Sequence, residues 1–344
     1  MNFFPQKHFR LLRITLIISI CIFASCKKQD RELNVLNWAE YIPDEVLQQF
    51  KEETGIQIRY SIFSSNEELF ARIKASPETY DVIFPSDYMV SIMSENNMLA
   101  KIHKPDIPNI KHIHDDYLIL SFDRENLYSL PFMRLQASIM SNTNKVKENI
   151  VSYSDLWKPQ YKNKIVLLDD QRIIIGMTLL SLGFPANDRN PEHIDKAKHR
   201  LLLLNENIRA YSSDNPRGLL LSNEADLAFV WHGEAVLANR IENVYRFHYT
   251  EEGPILQMDN FAIPAGSLRS REAHEFINFI LRPDIAKKIA DTFPYAIANK
   301  EASLKYINDK ITYPDKEILN KGHYLENVYE AAPLYDRVWS EIKR

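Results

Sequence analysis

Acidic and aromatic side chains recur together along this sequence in short clusters, with few basic residues among them. The clusters are Trp38, Glu40 and Tyr41; Ser86, Asp87 and Tyr88; Asp169 and Asp170; Trp231, His232 and Glu234; and Asp259. Aromatic faces beside carboxylates are what an organic ammonium requires. A ring attracts a cation held within roughly 6 Å of its centre, worth about 0.5–2 kcal/mol per well-placed face. Carboxylates then pair with the ammonium groups through charge-assisted hydrogen bonds and set their spacing. This chemistry is recognition: it needs no nucleophile, metal or cofactor. A lipoprotein hydrolase would be the competing class, but the chain carries no G-x-S-x-G elbow, no H-E-x-x-H and no Gly-rich phosphate loop. With eight glycines in 344 residues, it has little material for a phosphate cradle.

Each cluster also has a plainer reading. Glu40 reads equally as a ligand contact and as an N-terminal charge for the helix after Pro43. Asp169-Asp170 reads alternatively as a solvated turn, and His232-Gly233-Glu234 as the start of the helix after Trp231. His112-x-His114-Asp115-Asp116 has the look of a metal site, yet it follows a Pro-rich stretch and reads as a polar surface loop. Trp157 reads as packing and Trp339 as core within a terminal helix. An anionic ligand would need Arg or Lys beside the same clusters, where Arg172 and Arg217 are the only candidates.

The elements around these residues explain why they belong together. Leu33–Asn37 reads as a strand. Pro43 opens a helix with Val46, Leu47 and Phe50 on one face, closed by Gly55. A strand follows at Ile56–Ile62, and Ser65 with Glu68 forms a capping box for a helix to about Lys74. Asp81–Phe84 is a β-branched and aromatic run suited to a buried parallel strand, and a helix follows near Val90–Asn96. Tyr128–Phe132 and Ala137–Met140 read as extended crossover segments. Alternation then resumes with a strand at Lys164–Leu168, helices near Gly176–Leu182 and His193–Asn205, and strands at Ala225–Trp231 and Phe261–Ile263. Strands alternating with helices predict an α/β fold with a largely parallel sheet. In such sheets ligands bind beyond the carboxyl ends of the strands, where most of the clusters fall.

The N-terminus predicts where the chain works. Lys7, Arg10 and Arg13 precede an apolar run over Ile14–Ala24, and no acidic residue occurs before Asp30. This is the layout of a secretory signal peptide, too short to span a bilayer. Ala24-Ser25-Cys26 resembles a bacterial lipobox, so residues 1–25 read as the signal, Cys26 as the lipidated first residue and 26–32 as a tether to the membrane. Cys21 leaves with the signal, and one cysteine cannot form an internal disulfide. Loss of Lys7, Arg10 and Arg13 takes the formal net charge from −4 to −7. A mildly acidic chain argues against nucleic acid as a partner.

Six stretches, collinear from about residue 33 onward, resemble the spermidine/putrescine-binding proteins of bacterial polyamine ABC importers. They are Leu36-Asn37-Trp38-Ala39-Glu40-Tyr41-Ile42-Pro43, Tyr80-Asp81-Val82-Ile83-Phe84-Pro85-Ser86-Asp87-Tyr88 and Tyr153-Ser154-Asp155-Leu156-Trp157-Lys158-Pro159. Ser212-Ser213-Asp214-Asn215-Pro216, Met258-Asp259-Asn260-Phe261-Ala262-Ile263-Pro264 and Phe276-Ile277-Asn278-Phe279-Ile280-Leu281-Arg282-Pro283 continue the series. The resemblance implies a type II periplasmic-binding-protein fold: two α/β lobes, an interlobe ligand cleft and a multi-strand hinge. It puts 33–131 and 259–303 in one lobe, and 132–258 and 304–344 in the other. It implies ligand contacts at Trp38, Glu40, Tyr41, Ser86, Tyr88, Asp170, Ser213, Trp231, Asp259 and Tyr295. Asp259 would hold an amine near mid-cleft, Asp170 one end, and Glu40 would lie toward the other. The implied partners are a polyamine, a membrane permease and an ATPase, with the protein itself monomeric on the periplasmic or extracytoplasmic face. Three positions depart from the spermidine-preferring pattern: Ile173 replaces a carboxylate, Gln257 a tryptophan, and Leu325 a glutamine unless the alignment shifts onto Glu326. These leave room for a diamine or another organic cation, and a polyamine sensor would share the same sequence features.

Overall fold

The computed structural model describes residues 31–343; the signal peptide, Cys26 and most of the expected tether lie outside the described residues. Eleven strands form the sheet: β1 (Arg31–Trp38), β2 (Ile56–Phe63), β3 (Val82–Ile83), β4 (Ser129–Asn142), β5 (Ile165–Leu167), β6 (Ile208–Tyr211), β7 (Leu227–Trp231), β8 (Tyr245–His248), β9 (Ile255–Ala262), β10 (Ala296–Ile297) and β11 (His323–Tyr324). Their order is β2-β1-β3-β9-β4-β7-β5-β6, with β8 and β10 also pairing β4 and β11 pairing β9. Two parallel sets, β2-β1-β3 and β7-β5-β6, are therefore joined through antiparallel β9 and β4. The expected crossover segments are one uninterrupted fourteen-residue strand, β4, buried at every position. The structure is thus a mixed α/β fold built around two parallel sets.

Local signals set many of the boundaries. The helix Asp44–Thr54 begins after Pro43 and ends at Gly55, whose left-handed φ of 72° lets its N–H reach the Lys51 carbonyl. Ser65 caps the helix Asn66–Ala75 by accepting from the Glu68 N–H, while the Glu68 carboxylate reaches back to the Ser64 N–H. β1 begins two residues earlier than expected because Arg31 is pinned by Glu272 and Glu275, and Glu32 by Arg59. The strand expected at Phe261–Ile263 begins at Ile255, so Asp259 lies within it, and the helix expected near Gly176–Leu182 is also displaced. It runs Gln171–Ser181, because the Asp170 side chain accepts from the Arg172 and Ile173 N–H groups and starts it five residues sooner. The β-branched run Ile173–Ile175 obscures this in sequence, yet all three side chains are fully buried.

Trp157 packs as expected, its indole N–H donating to the Arg200 carbonyl. Trp339 is corrected: it sits in the terminal helix Ala332–Ile342 but is only half-buried, set edge-on to Tyr211. His112 pairs with Glu301, and His114 contacts Ser303. Among the described residues, no helix is long and apolar enough to cross a membrane.

Candidate functional site

β1 delivers its last residue, Trp38, to a turn in which Glu40 takes a left-handed φ of 53°. The Trp38 indole donates to the Phe84 carbonyl at 2.9 Å and its ring lies 4.2 Å from that of Phe63. The backbone hydrogen bond and the ring contact fix the tryptophan as a wall. Tyr41 follows, its ring 5.5 Å from Tyr295 and 6.3 Å from Phe132. On the facing side, β7 ends at Trp231, and the helix His232–Ile241 starts at once. Gly233 makes this approach possible, since a Cβ there would lie 2.4 Å from the Tyr295 ring. Between these walls is a cleft of about 720 Å³, its open mouth included, lined by Trp38, Glu40, Tyr41, Asp170, Ser213, Trp231 and Tyr295. Seven of the ten expected site residues therefore meet in one place.

Two of the other three lie beneath its lining. Asp259 is fully buried; Tyr41 Oη donates to its Oδ2 at 2.7 Å and Ser86 Oγ to its Oδ1 at 2.7 Å. Gln257 Nε2 donates to Asp259 Oδ1 at 3.0 Å and to Ser86 Oγ, while Asn66 holds Ser86 through both its backbone N–H and its hydroxyl. Burial pushes the Asp259 carboxyl up to about 6 despite the three donors. The carboxylate thus stands behind Tyr41 and Gln257 rather than bare in the cleft. Tyr88 is set back furthest. It does not line the cleft; its hydroxyl donates to Glu67, and the Arg172 guanidinium lies 5.1 Å from its ring centre.

At one part of the cleft Asp170 combines two jobs. One oxygen caps the helix Gln171–Ser181, leaving the other free of protein donors. Burial and the nearby Glu67 push its carboxyl up to about 6. Ser213 Oγ accepts from the Asp169 N–H, so this hydroxyl braces the loop that presents Asp170. Elsewhere in the cleft Glu234 is buried and held by Arg217 at 3.2 Å, with Glu40 3.6 Å from the same guanidinium. Burial drives the Glu234 carboxyl up to about 7, with Arg217 opposing and Glu40 adding to the rise.

Glu234 appears among the strand-end clusters in sequence, three residues beyond β7, but not among the expected contacts; its place in the cleft comes from the helix turn after Trp231. Phe63, Leu135 and Gln257 also line the cleft. Their signal is positional only: Phe63 and Gln257 lie at or near strand ends, and Leu135 lies mid-way along β4. Gln257 occupies the space of the tryptophan expected from the spermidine-preferring pattern, and its Oε1 is buried without a partner. That atom is an acceptor waiting for a donor, because an unmet buried carbonyl costs about 1–3 kcal/mol. Ile173 is fully buried and Leu325 nearly so, and neither lines the cleft.

This arrangement of a two-lobed α/β fold around an acidic, aromatic-walled cleft defines a solute-binding protein. The chain belongs to the bacterial extracellular solute-binding protein family, which it matches over residues 45–317. It is 36% identical to the spermidine/putrescine-binding periplasmic protein of Salmonella typhimurium, over 89% of this chain and 90% of that one. It is 35% identical to the protein of the same description from Escherichia coli, over 95% of each. Among solved structures, a spermidine/putrescine ABC transporter protein of Listeria monocytogenes superposes with a TM-score of 0.88 at 31% identity, covering 91% of this chain and 99% of that one.

Proposed function

We propose that this protein captures a polyamine in its cleft and delivers it to an ABC permease and its ATPase from the outer face of a membrane. The observation that carries the reading is the floor and walls together. Asp259 and Gln257 Oε1 offer charge and an unmet acceptor beneath Trp38, Trp231, Tyr41 and Tyr295. An ammonium donates to the acceptors while the rings cover its methylenes. The relatives named for spermidine and putrescine support the same class of cargo. Asp170 with its free oxygen serves a terminal ammonium; Ser86 and Ser213 act by positioning Asp259 and Asp170, and Tyr88 by holding Glu67.

The lobes follow the same reading. Residues 33–131 and 259–303 form one, supported in part by an apolar core that joins Leu33–Leu130 to Phe261–Ala302 and takes in Phe132, Met133 and Leu135, while Leu36, Phe63 and Leu69 pack in a core shared with the other. Residues 132–258 and 304–344 form the other. Residues 1–25 direct export, and a lipid on Cys26 holds the protein at the membrane surface.

Calorimetry on the purified protein with putrescine, cadaverine, spermidine and spermine tests the proposal. Saturable binding to at least one, weakened about 10- to 100-fold in Asp259→Asn, is the expected result, given the value of a hydrogen bond to a buried charge. No heat with any of the four overturns the polyamine assignment.

A further inference from the structure

Resting on the polyamine reading, we infer that Arg217 is a cation built into the cleft which occupies the Glu40–Glu234 subsite and sets the cargo to a diamine rather than a triamine. Arg217 enters from the helix Pro216–Leu221 and places Nη1 3.2 Å from Glu234 Oε2 and Nη2 3.6 Å from Glu40 Oε2. The two carboxylates come from opposite walls, Glu40 from the turn after β1 and Glu234 from the helix after β7. Both line the cleft, and the guanidinium that joins them is largely buried. Tyr295 lies in the field of all three charges. This is how an aromatic-covered pair of carboxylates would hold a ligand ammonium, except that the protein supplies the cation.

The consequence follows from counting acceptors for a cationic chain. Asp170 keeps one oxygen without a protein donor, and the cleft-lining Gln257, whose Oε1 is unmet and which the Asp259 carboxylate backs, supplies a second place mid-cleft. A third ammonium would have to displace Arg217 or share Glu40 and Glu234 with it, at the cost of like-charge repulsion in a partly desolvated site. At the Asp170 end, position 173 adds no carboxylate to the cleft, since Ile173 is buried in the core. A diamine meets two free subsites and no internal competitor.

The test is calorimetry with putrescine and spermidine on the wild type, Arg217→Gln and Arg217→Lys, with thermal melts to establish folding. Wild type should prefer putrescine. Arg217→Gln should shift the ratio of the two Kd values by about tenfold toward spermidine, the size expected for removing one nearby like charge. Arg217→Lys, keeping the charge, should stay near the wild-type ratio. A ratio unchanged in a folded Arg217→Gln, or a wild type that prefers spermidine, overturns the role of Arg217 and leaves the polyamine reading intact. A wild type that binds neither polyamine overturns both.

Discussion

Asp170, Glu234 and Asp259 share a property that ordinary surface carboxylates lack: each is desolvated enough to hold its proton nearer neutrality. Asp170 and Asp259 are pushed up to about 6 and Glu234 to about 7. An ammonium favours the ionised forms of the two aspartates, so binding lowers those values and expels protons. Affinity is therefore full above about pH 7 and weakens as pH falls through the range of Asp170 and Asp259. Titration calorimetry at pH 8.0 and 5.5 should show at least a tenfold rise in Kd at the lower pH. Proton release, read from the dependence of the heat on buffer ionisation, should peak between about pH 5 and 6. A Kd constant across this range would mean that no desolvated carboxylate meets the cargo. In sequence these residues announce their type, and Asp170 and Glu234 also their place beyond strand ends, whereas Asp259 lies inside β9. Their burial, which gives them this behaviour, is a property of packing and is not written locally.

Helix starts organise both sides of the cleft, and each can be separated from the chemistry it presents. Asp170 caps the helix Gln171–Ser181 with one oxygen. Asp170→Ser keeps a capping oxygen but removes the charge, so its melting temperature should remain close to wild type while polyamine affinity falls more than tenfold. Asp170→Ala loses both functions and should also lose about 1 kcal/mol of stability by chemical denaturation. If the serine variant binds like wild type, Asp170 is a structural cap and nothing more. At the facing helix, Gly233→Ala would set a Cβ 2.4 Å from the Tyr295 ring. The ring must move, at a cost of about 1–3 kcal/mol for overpacking, and binding should weaken with it. Capping and turn signals made the helices at Asp44 and Asn66 legible from sequence, because a cap is a local interaction. The start at Gln171 was hidden by three consecutive isoleucines whose helical state is decided by burial. The contribution of Tyr295 was legible only through the resemblance, since a loop tyrosine after Phe293-Pro294 carries no periodic signal of its own.

At the scale of the whole chain, two strands decide how the halves can move. β4 and β9 pair antiparallel along most of their length and carry the sheet from one parallel set to the other. The register between them shifts between Pro131 and Met133, where Pro131 has no N–H to give the ladder. An interrupted ladder bends more readily than an intact one, so bending between the two parallel sets is expected here. The extended character of these segments was legible in sequence. Their union into one buried strand was not, because it depends on partners far along the chain, in β7, β8, β9 and β10. In this structure Glu40 and Arg217 already meet across the cleft, so the walls are described near one another. A cation shared by both walls favours that arrangement further, because only the closed form offers it the acceptors and rings of both sides. Small-angle scattering should then show a smaller radius of gyration on saturation with the preferred polyamine. Asp259→Asn at the same ligand concentration should show little change. A radius equal with and without ligand in the wild type would mean that the walls stay together unaided, with the Arg217 ion pairs sufficient to hold them. In that case Arg217→Gln should restore a ligand-dependent contraction, which the same measurement would reveal.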